Sequence, residues 1–442
     1  MKEITFPPKF ITKLSIDERL QIVELIKNQD EIGLAWLQKI RKFISFHNRN
    51  LKNISFKRFN EESSSHLTWM KDIITQQIFS SKEKLIDVAM LNAALIISDA
   101  CQLDFDEKRL LNNILIKHEE NLINTSPRLP KNFKNIKMCT WSIDDWRSSN
   151  FKKIPITIFC PSPYSLFSIT VLKMLLAINI DVKAIVVLKF SFSRIKSEFY
   201  RDGPFLFFKR VWRKLILRAD ENNVKTDLSL KQLKNSIAPE ISDIRKLAKK
   251  NSIPCLMVNN FHEILDVEKN KAGDLCLFTG GGILSKQVLA YFNQGIINIH
   301  MGPLPQYKGM DVVEAPILDG IFNNLALTSH LMEPELDAGP LISQMIFFAD
   351  EYQSLEELRN EMGAMMPIIA VDSITSILSK QNFLYEQPKL GQQYYFIHQK
   401  LRDIISKVMF ARFNLSKSST LDDREKKLRS FNELISSLNE YA

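Results

Sequence analysis

Cysteine is scarce and scattered. Five thiols (Cys101, Cys139, Cys160, Cys255 and Cys276) are spread over 442 residues without CxxC spacing. That excludes a disulfide framework and a zinc site of the usual ligand spacing, so no metal is expected. Long apolar runs are missing as well. The most apolar stretches, 89–97 and 171–180, fall well short of the roughly 20 residues a helix needs to cross a bilayer. The opening Met1-Lys2-Glu3-Ile4-Thr5 has no apolar core of a secretory signal, and the expected compartment is the cytoplasm. Neither an internal repeat nor a low-complexity tract is visible.

What is present has globular proportions, 45% apolar and 25% charged residues. The length suggests two or three domains at about 150 residues each. A formal charge of +9 is mildly basic and favours anionic ligands such as phosphates, without specifying nucleic acid.

Residues 1–120 read as a helical module. Ser15-Ile16-Asp17-Glu18 has the form of a capping box, and Leu20, Val23 and Ile26 follow at helical spacing. Leu85, Val88, Ala89, Leu91, Ala94 and Leu95 form a second such pattern. Asp104–Glu107 has the form of another capping box and opens a third, with Leu110, Leu111, Ile114 and Leu115. The acidic cluster there lacks the glycine and alternating oxygens of a calcium loop. Residues 121–153, rich in Asn, Pro, Ser and Lys, are expected to be a linker.

The pattern changes at residue 154. A short apolar run to Cys160, a break at Pro161-Ser162-Pro163, a helix-period stretch and the run 182–188 spell strand, helix, strand. Alternation resumes with a helix near 242–251, strands at 254–258 and 274–279, a helix at 285–292 and a strand at 296–300. The expected fold is α/β, a doubly wound and mostly parallel sheet spanning 154–380, with a mainly helical extension over 381–442. The insertion 189–218 carries nine basic residues against two acidic ones, with eight aromatics interleaved. It reads either as a grip for a phosphorylated acceptor or anionic surface, or as an excursion whose charges are solvated.

The strand at 296–300 ends in Asn298 and His300, two residues apart and therefore on one face. A loop with two prolines and two glycines follows, from Met301 to Gly309. A third polar group stands in Leu336-Asp337-Ala338-Gly339. A polar pair at a strand tip is poor core design and good site design.

Asn298-x-His300, Leu304-Pro305-x-Tyr307-Lys308-Gly309, His330 and Leu336-Asp337-x-Gly339 together resemble the 10-formyltetrahydrofolate-dependent formyltransferases. That family includes methionyl-tRNA, glycinamide ribonucleotide and amino-sugar N-formyltransferases, with a Rossmann-like core. The resemblance covers roughly residues 154–380. It implies that Asn298, His300 and Asp337 form a catalytic triad. It also implies that Gly280, Gly281, Gly282, Ile283 and Leu284, with the loop from His330 to Asp337 including Glu335, cradle the folate, largely through backbone groups. His330 reads equally well as a core histidine with a structural hydrogen bond. Met301-Gly302 stands where the family usually has serine, and Lys308 where arginine is familiar.

Formyl transfer needs an amine to attack a carbonyl carbon while charge develops on its oxygen. An amide N–H from Asn298 can meet that charge, His300 can move the proton, and Asp337 can orient the imidazole. The expected cosubstrate is 10-formyltetrahydrofolate. The expected acceptor is a small primary amine, phosphorylated or nucleotide-linked, with an amino sugar ranked first. tRNA is not favoured, because the C-terminal residues look helical where a methionyl-tRNA enzyme usually has a β-barrel. His398 and its aromatic neighbours lie outside the matching core, and a C-terminal subdomain lining the acceptor site is the less favoured reading of them. Hydrolysis of the formyl-folate and a non-catalytic folate-binding module are the alternatives, and oligomerisation stays open.

Overall fold

A computed structural model of the chain describes residues 105–126, 136–139, 154–189, 229–280, 282–379, 384–388, 391–394, 397–416 and 421–440, with Val88, Leu91, Asn92, Leu95 and Trp146 besides. The helix expected at Ser15, Cys101, Gly281 and the basic insertion beyond Lys189 lie outside the described residues.

The chain enters with helix α1 (Phe105–Asn124) and a short strand β1 (Lys137–Met138), and then begins its α/β alternation. Strand β2 (Ile156–Cys160) leads to α2 (Leu166–Ala177), which starts where the Ser165 side chain accepts from the Ser168 amide. Strand β3 (Val182–Leu188), helices α3 (Leu230–Ile237) and α4 (Ile244–Lys250), and β4 (Cys255–Val258) complete the first half. The second half is β5 (Leu275–Phe278), α5 (Lys286–Tyr291), β6 (Ile296–His300), β7 (Tyr307–Gly309), α6 (Glu314–Leu318), β8 (Leu325–Leu331) and β9 (Leu341–Phe347). Helix α7 (Leu355–Leu378), strand β10 (Gln392–Tyr394), α8 (Gln399–Ser416) and α9 (Leu421–Glu440) follow.

Among the described residues, eight strands form one sheet in the order β1-β9-β8-β6-β5-β2-β3-β4, and only β8 pairs antiparallel to its neighbours. From β2 the chain winds out to β4, then returns to the other side of β2 for β5 and β6. Order reverses between β2 and β5, the position where doubly wound sheets open a crevice beyond their carboxyl ends. Thr279 bridges that point: its hydroxyl donates to the Phe159 carbonyl at 2.7 Å and meets the Ser168 hydroxyl at 2.7 Å.

Two features depart from the sequence expectation. Residues 137–139 sit inside the stretch expected as a linker, yet β1 pairs parallel with β9 at the sheet edge. Lys137 reaches the buried Asp372 of α7 at 3.0 Å, an ion pair that local composition does not signal. Helix α7 is long and apolar enough by length and composition to cross a membrane, and most of it is buried within the fold. Its buried Glu361 and Asp372 interrupt the apolar run that a scan for long stretches seeks.

Helices on both sides of the α/β stretch share the core of the sheet. Leu91, Leu115 and Leu122 belong to the same apolar cluster as Ile158 and Val187 of the sheet and Ile405, Val408 and Leu434 of the C-terminal helices. Arg412 of α8 joins them, pairing with Asp350 through two 2.8 Å bonds and donating to the Thr125 carbonyl beyond α1.

Candidate functional site

The reason β6 delivers two polar side chains to one place lies in its register. Phe278 of β5 pairs with Asn298 on one side, and Asn298 pairs with His330 of β8 on the other. Asn298 and His330 are therefore cross-strand neighbours, and the Asn298 amide Nδ2 lies 3.1 Å from His330 Nε2. His330 Nδ1 sits 2.9 Å from the Leu331 carbonyl, which can only accept, so Nδ1 carries the proton and Nε2 accepts from Asn298. Burial holds His330 down at a pKa of about 4, with Asp337 pulling up and His300 pushing down. At neutral pH it is an uncharged acceptor. Both its ring nitrogens are engaged by protein groups, Nε2 by the Asn298 amide and Nδ1 by the Leu331 carbonyl.

His300 is buried, and its Nε2 donates to the Tyr307 carbonyl at 2.9 Å. That bond fixes the ring, places a hydrogen on Nε2 and turns Nδ1 the other way. Nδ1 faces Asp337 Oδ2 at 3.6 Å, while Asp337 Oδ1 is 3.7 Å from His330 Nε2. The carboxylate thus stands between two imidazoles, slightly beyond hydrogen-bond length of either. Its firm partner is the Gly309 amide, which donates to Oδ2 at 2.8 Å. Orientation of His300, expected from Asp337, comes from the Tyr307 carbonyl instead.

The loop between β6 and β7 is locked by residues that sequence reasoning missed. Thr328 donates to the Gly302 carbonyl at 2.8 Å, and Gln344 Nε2 reaches the Leu304 carbonyl at 3.0 Å. Neither residue has a spacing that marks it; only strand pairing brings them under the loop. Gly302 has no room for a side chain, since a Cβ would lie 2.9 Å from His300 Nε2.

The remaining expected residues divide. Gly280 and Gly282 have φ of +116° and +113°, and space around Gly282 is open. Ile283 is 83% exposed beside them. Leu284 is buried in an apolar cluster with Phe278 and Val288, and Glu335 is exposed in the loop before Asp337. His398 immediately precedes α8. Its backbone amide donates to Asn92 and its ring nitrogen accepts from the Lys400 amide, capping α8.

A family model described as formyl transferase matches residues 258–373, the stretch that carries Asn298, His300, His330 and Asp337. Over that stretch the chain is similar to the formyl transferases. The methionyl-tRNA formyltransferase of Fusobacterium nucleatum is 30% identical to it over 139 residues, which are 30% of this chain and 44% of that protein. That of Magnetococcus marinus is 27% identical over 154 residues, 34% of this chain and 49% of the relative. The chain thus spans less than half the length of these curated relatives. Among solved structures, the phosphoribosylglycinamide formyltransferase of Bacillus halodurans is similar over 53% of this chain and 100% of its own, at 17% identity and a TM-score of 0.34. The N-formyltransferase of Helicobacter canadensis, in complex with folinic acid and dTDP-3-aminofucose, is similar over 59% of this chain and 80% of its own, at 14% identity and a TM-score of 0.36. The family match ends at residue 373, before β10 and the C-terminal helices.

Proposed function

We propose that the protein is an N-formyltransferase that moves the formyl group of 10-formyltetrahydrofolate to a primary amine, with a nucleotide-linked amino sugar as the acceptor class. One observation carries the reading. Asn298, His300 and Asp337, separated by up to 39 positions, converge at the carboxyl end of β6 beside the point where strand order reverses. The matched formyl transferase segment supports it.

The cosubstrate supplies an activated formyl carbon; the residues on the rim suit its flat ring. Gly280 and Gly282 leave backbone open to close approach, and the exposed Ile283 offers an apolar face in the loop after β5. In the transfer, a bond forms between the amine nitrogen and the formyl carbon, the bond from that carbon to N10 breaks, and a proton passes from the amine to N10. His300 Nδ1 is the atom that holds this proton in transit, with the Asp337 carboxylate beside the charge that forms. Asn298 gives one N–H to His330 and has a second for the formyl oxygen as charge builds there.

A second reading, methionyl-tRNA as acceptor, is favoured by the names of the curated relatives. The helical α8 and α9, where such an enzyme is expected to have a β-barrel, weigh against it. Incubation with 10-formyltetrahydrofolate and separate acceptors (nucleotide-linked amino sugars, glycinamide ribonucleotide, methionyl-tRNA), read by mass spectrometry, tests both. Formyl gain on an amino sugar supports the first reading, and gain on methionyl-tRNA replaces it with the second. No gain on any amine overturns both.

A further inference from the structure

Asp337 has a left-handed backbone, φ +50°, which a non-glycine residue adopts only when its surroundings hold it there. The loop that follows has no slack: a Cβ on Gly339 would lie 2.0 Å from the Leu331 carbonyl oxygen. Two carbonyls of this loop, those of Asp337 and Gly339, point the same way, and one side chain satisfies both. The Nε2 of Gln387 donates to the Asp337 carbonyl at 3.1 Å and to the Gly339 carbonyl at 2.6 Å. Both partners are obligate acceptors, so the amide orientation is not in doubt. The segment bearing Gln387 is itself fixed, because Tyr385 and Leu341 exchange backbone hydrogen bonds of 2.9 and 2.8 Å. Gln387 lies beyond residue 373, outside the matched segment.

We propose that Gln387 is a positioning residue for the catalytic site: by clamping the backbone on either side of Ala338, it sets where the Asp337 carboxylate stands relative to His300 and the Gly309 amide. The formyl transferase segment alone is then incomplete, and the C-terminal extension supplies the part that aims its carboxylate. The kinetic consequence rests on the formyl-transfer reading; the structural one does not.

The Gly309 amide reports directly on that carboxylate, since it donates to Asp337 Oδ2 at 2.8 Å. Lys308-Gly309 is the one Lys-Gly pair in the sequence. Labelling lysine with carbonyl ¹³C and glycine with ¹⁵N therefore isolates a single NMR signal from this amide in the full chain. Asp337→Ala defines the shift when the carboxylate is gone. Gln387→Met, which keeps the length and removes both donors, is expected to move the signal at least half as far in the same direction, with the melting curve little changed. Gln387→Ala serves as a second variant. If Gln387→Met and Gln387→Ala leave the signal at its parent position while Asp337→Ala moves it, the proposal is overturned. If Asp337→Ala does not move it either, the Asp337–Gly309 contact is wrong, and the proposal and the site reading fall together. In transfer assays Gln387→Met should lower kcat about tenfold with KM within about twofold. A parent protein that transfers no formyl group would sink the functional reading alone, because the Gly309 signal still decides the role of Gln387.

Discussion

Asn298 and His330 face each other across an antiparallel strand pair, amide to imidazole at 3.1 Å. The histidine can accept that bond only while neutral, and burial keeps it so, at a pKa of about 4. Its folded value lies below its ordinary 6.5. Between the two, the unfolded chain binds more protons than the folded one, so stability rises with pH across that window. The contribution is complete above about pH 6.5 and fades as pH falls towards 4. His330→Gln keeps an acceptor for Asn298 and removes the titration. Urea denaturation at pH 7 and pH 4 should then register a loss on acidification smaller than the parent's by roughly 3 kcal/mol. An equal loss in both proteins would contradict the assignment.

Glu314 is fully buried and depends on two arginines. Arg359 Nη2 contacts both its oxygens at 2.6 Å, and Arg402 lies 3.4 Å away. Removing Arg359 leaves a buried carboxylate short of a partner, and because Arg402 persists the expected cost is about 2 kcal/mol. In Arg359→Met combined with Glu314→Gln the cost should be smaller than in Arg359→Met alone. Chemical denaturation of the two variants decides it.

Strand β7 is held between His300 and Asp337 on one side and β10 on the other. Tyr307 and Gly309 turn backbone groups to His300 and Asp337, while the Met310 amide donates to the Tyr394 carbonyl at 3.0 Å. Gly309 has φ +99°, and a Cβ there would lie 2.1 Å from Tyr394 O. Gly309→Ala must push β10 away, so amides of 391–394 and 307–310 should lose hydrogen-exchange protection while β2 and β3 keep theirs. Unchanged protection at β10 would refute the packing.

The α/β alternation was legible because its signals are local. The run 182–188 is β3 to the residue, and the polar pair Asn298 and His300 announced itself by a two-residue spacing at the end of an apolar strand. Other parts were hidden because their causes are distant. Lys137-Met138 has no strand pattern of its own and pairs only because β9 offers an edge. Gln387 and Thr328 gain meaning from the loops folded against them. His330 was visible as a residue, but its orientation towards Asn298 follows from strand register, which the sequence does not spell out.

The most direct test of the catalytic claim is a formyl-transfer assay on the parent, Asn298→Ala and His300→Ala proteins with 10-formyltetrahydrofolate and the best acceptor. Loss of the Asn298 amide should lower kcat about 100- to 1,000-fold. Loss of the His300 imidazole should lower it about 100- to 10,000-fold, with the fold intact by circular dichroism. Parent-like transfer by either variant would contradict the account.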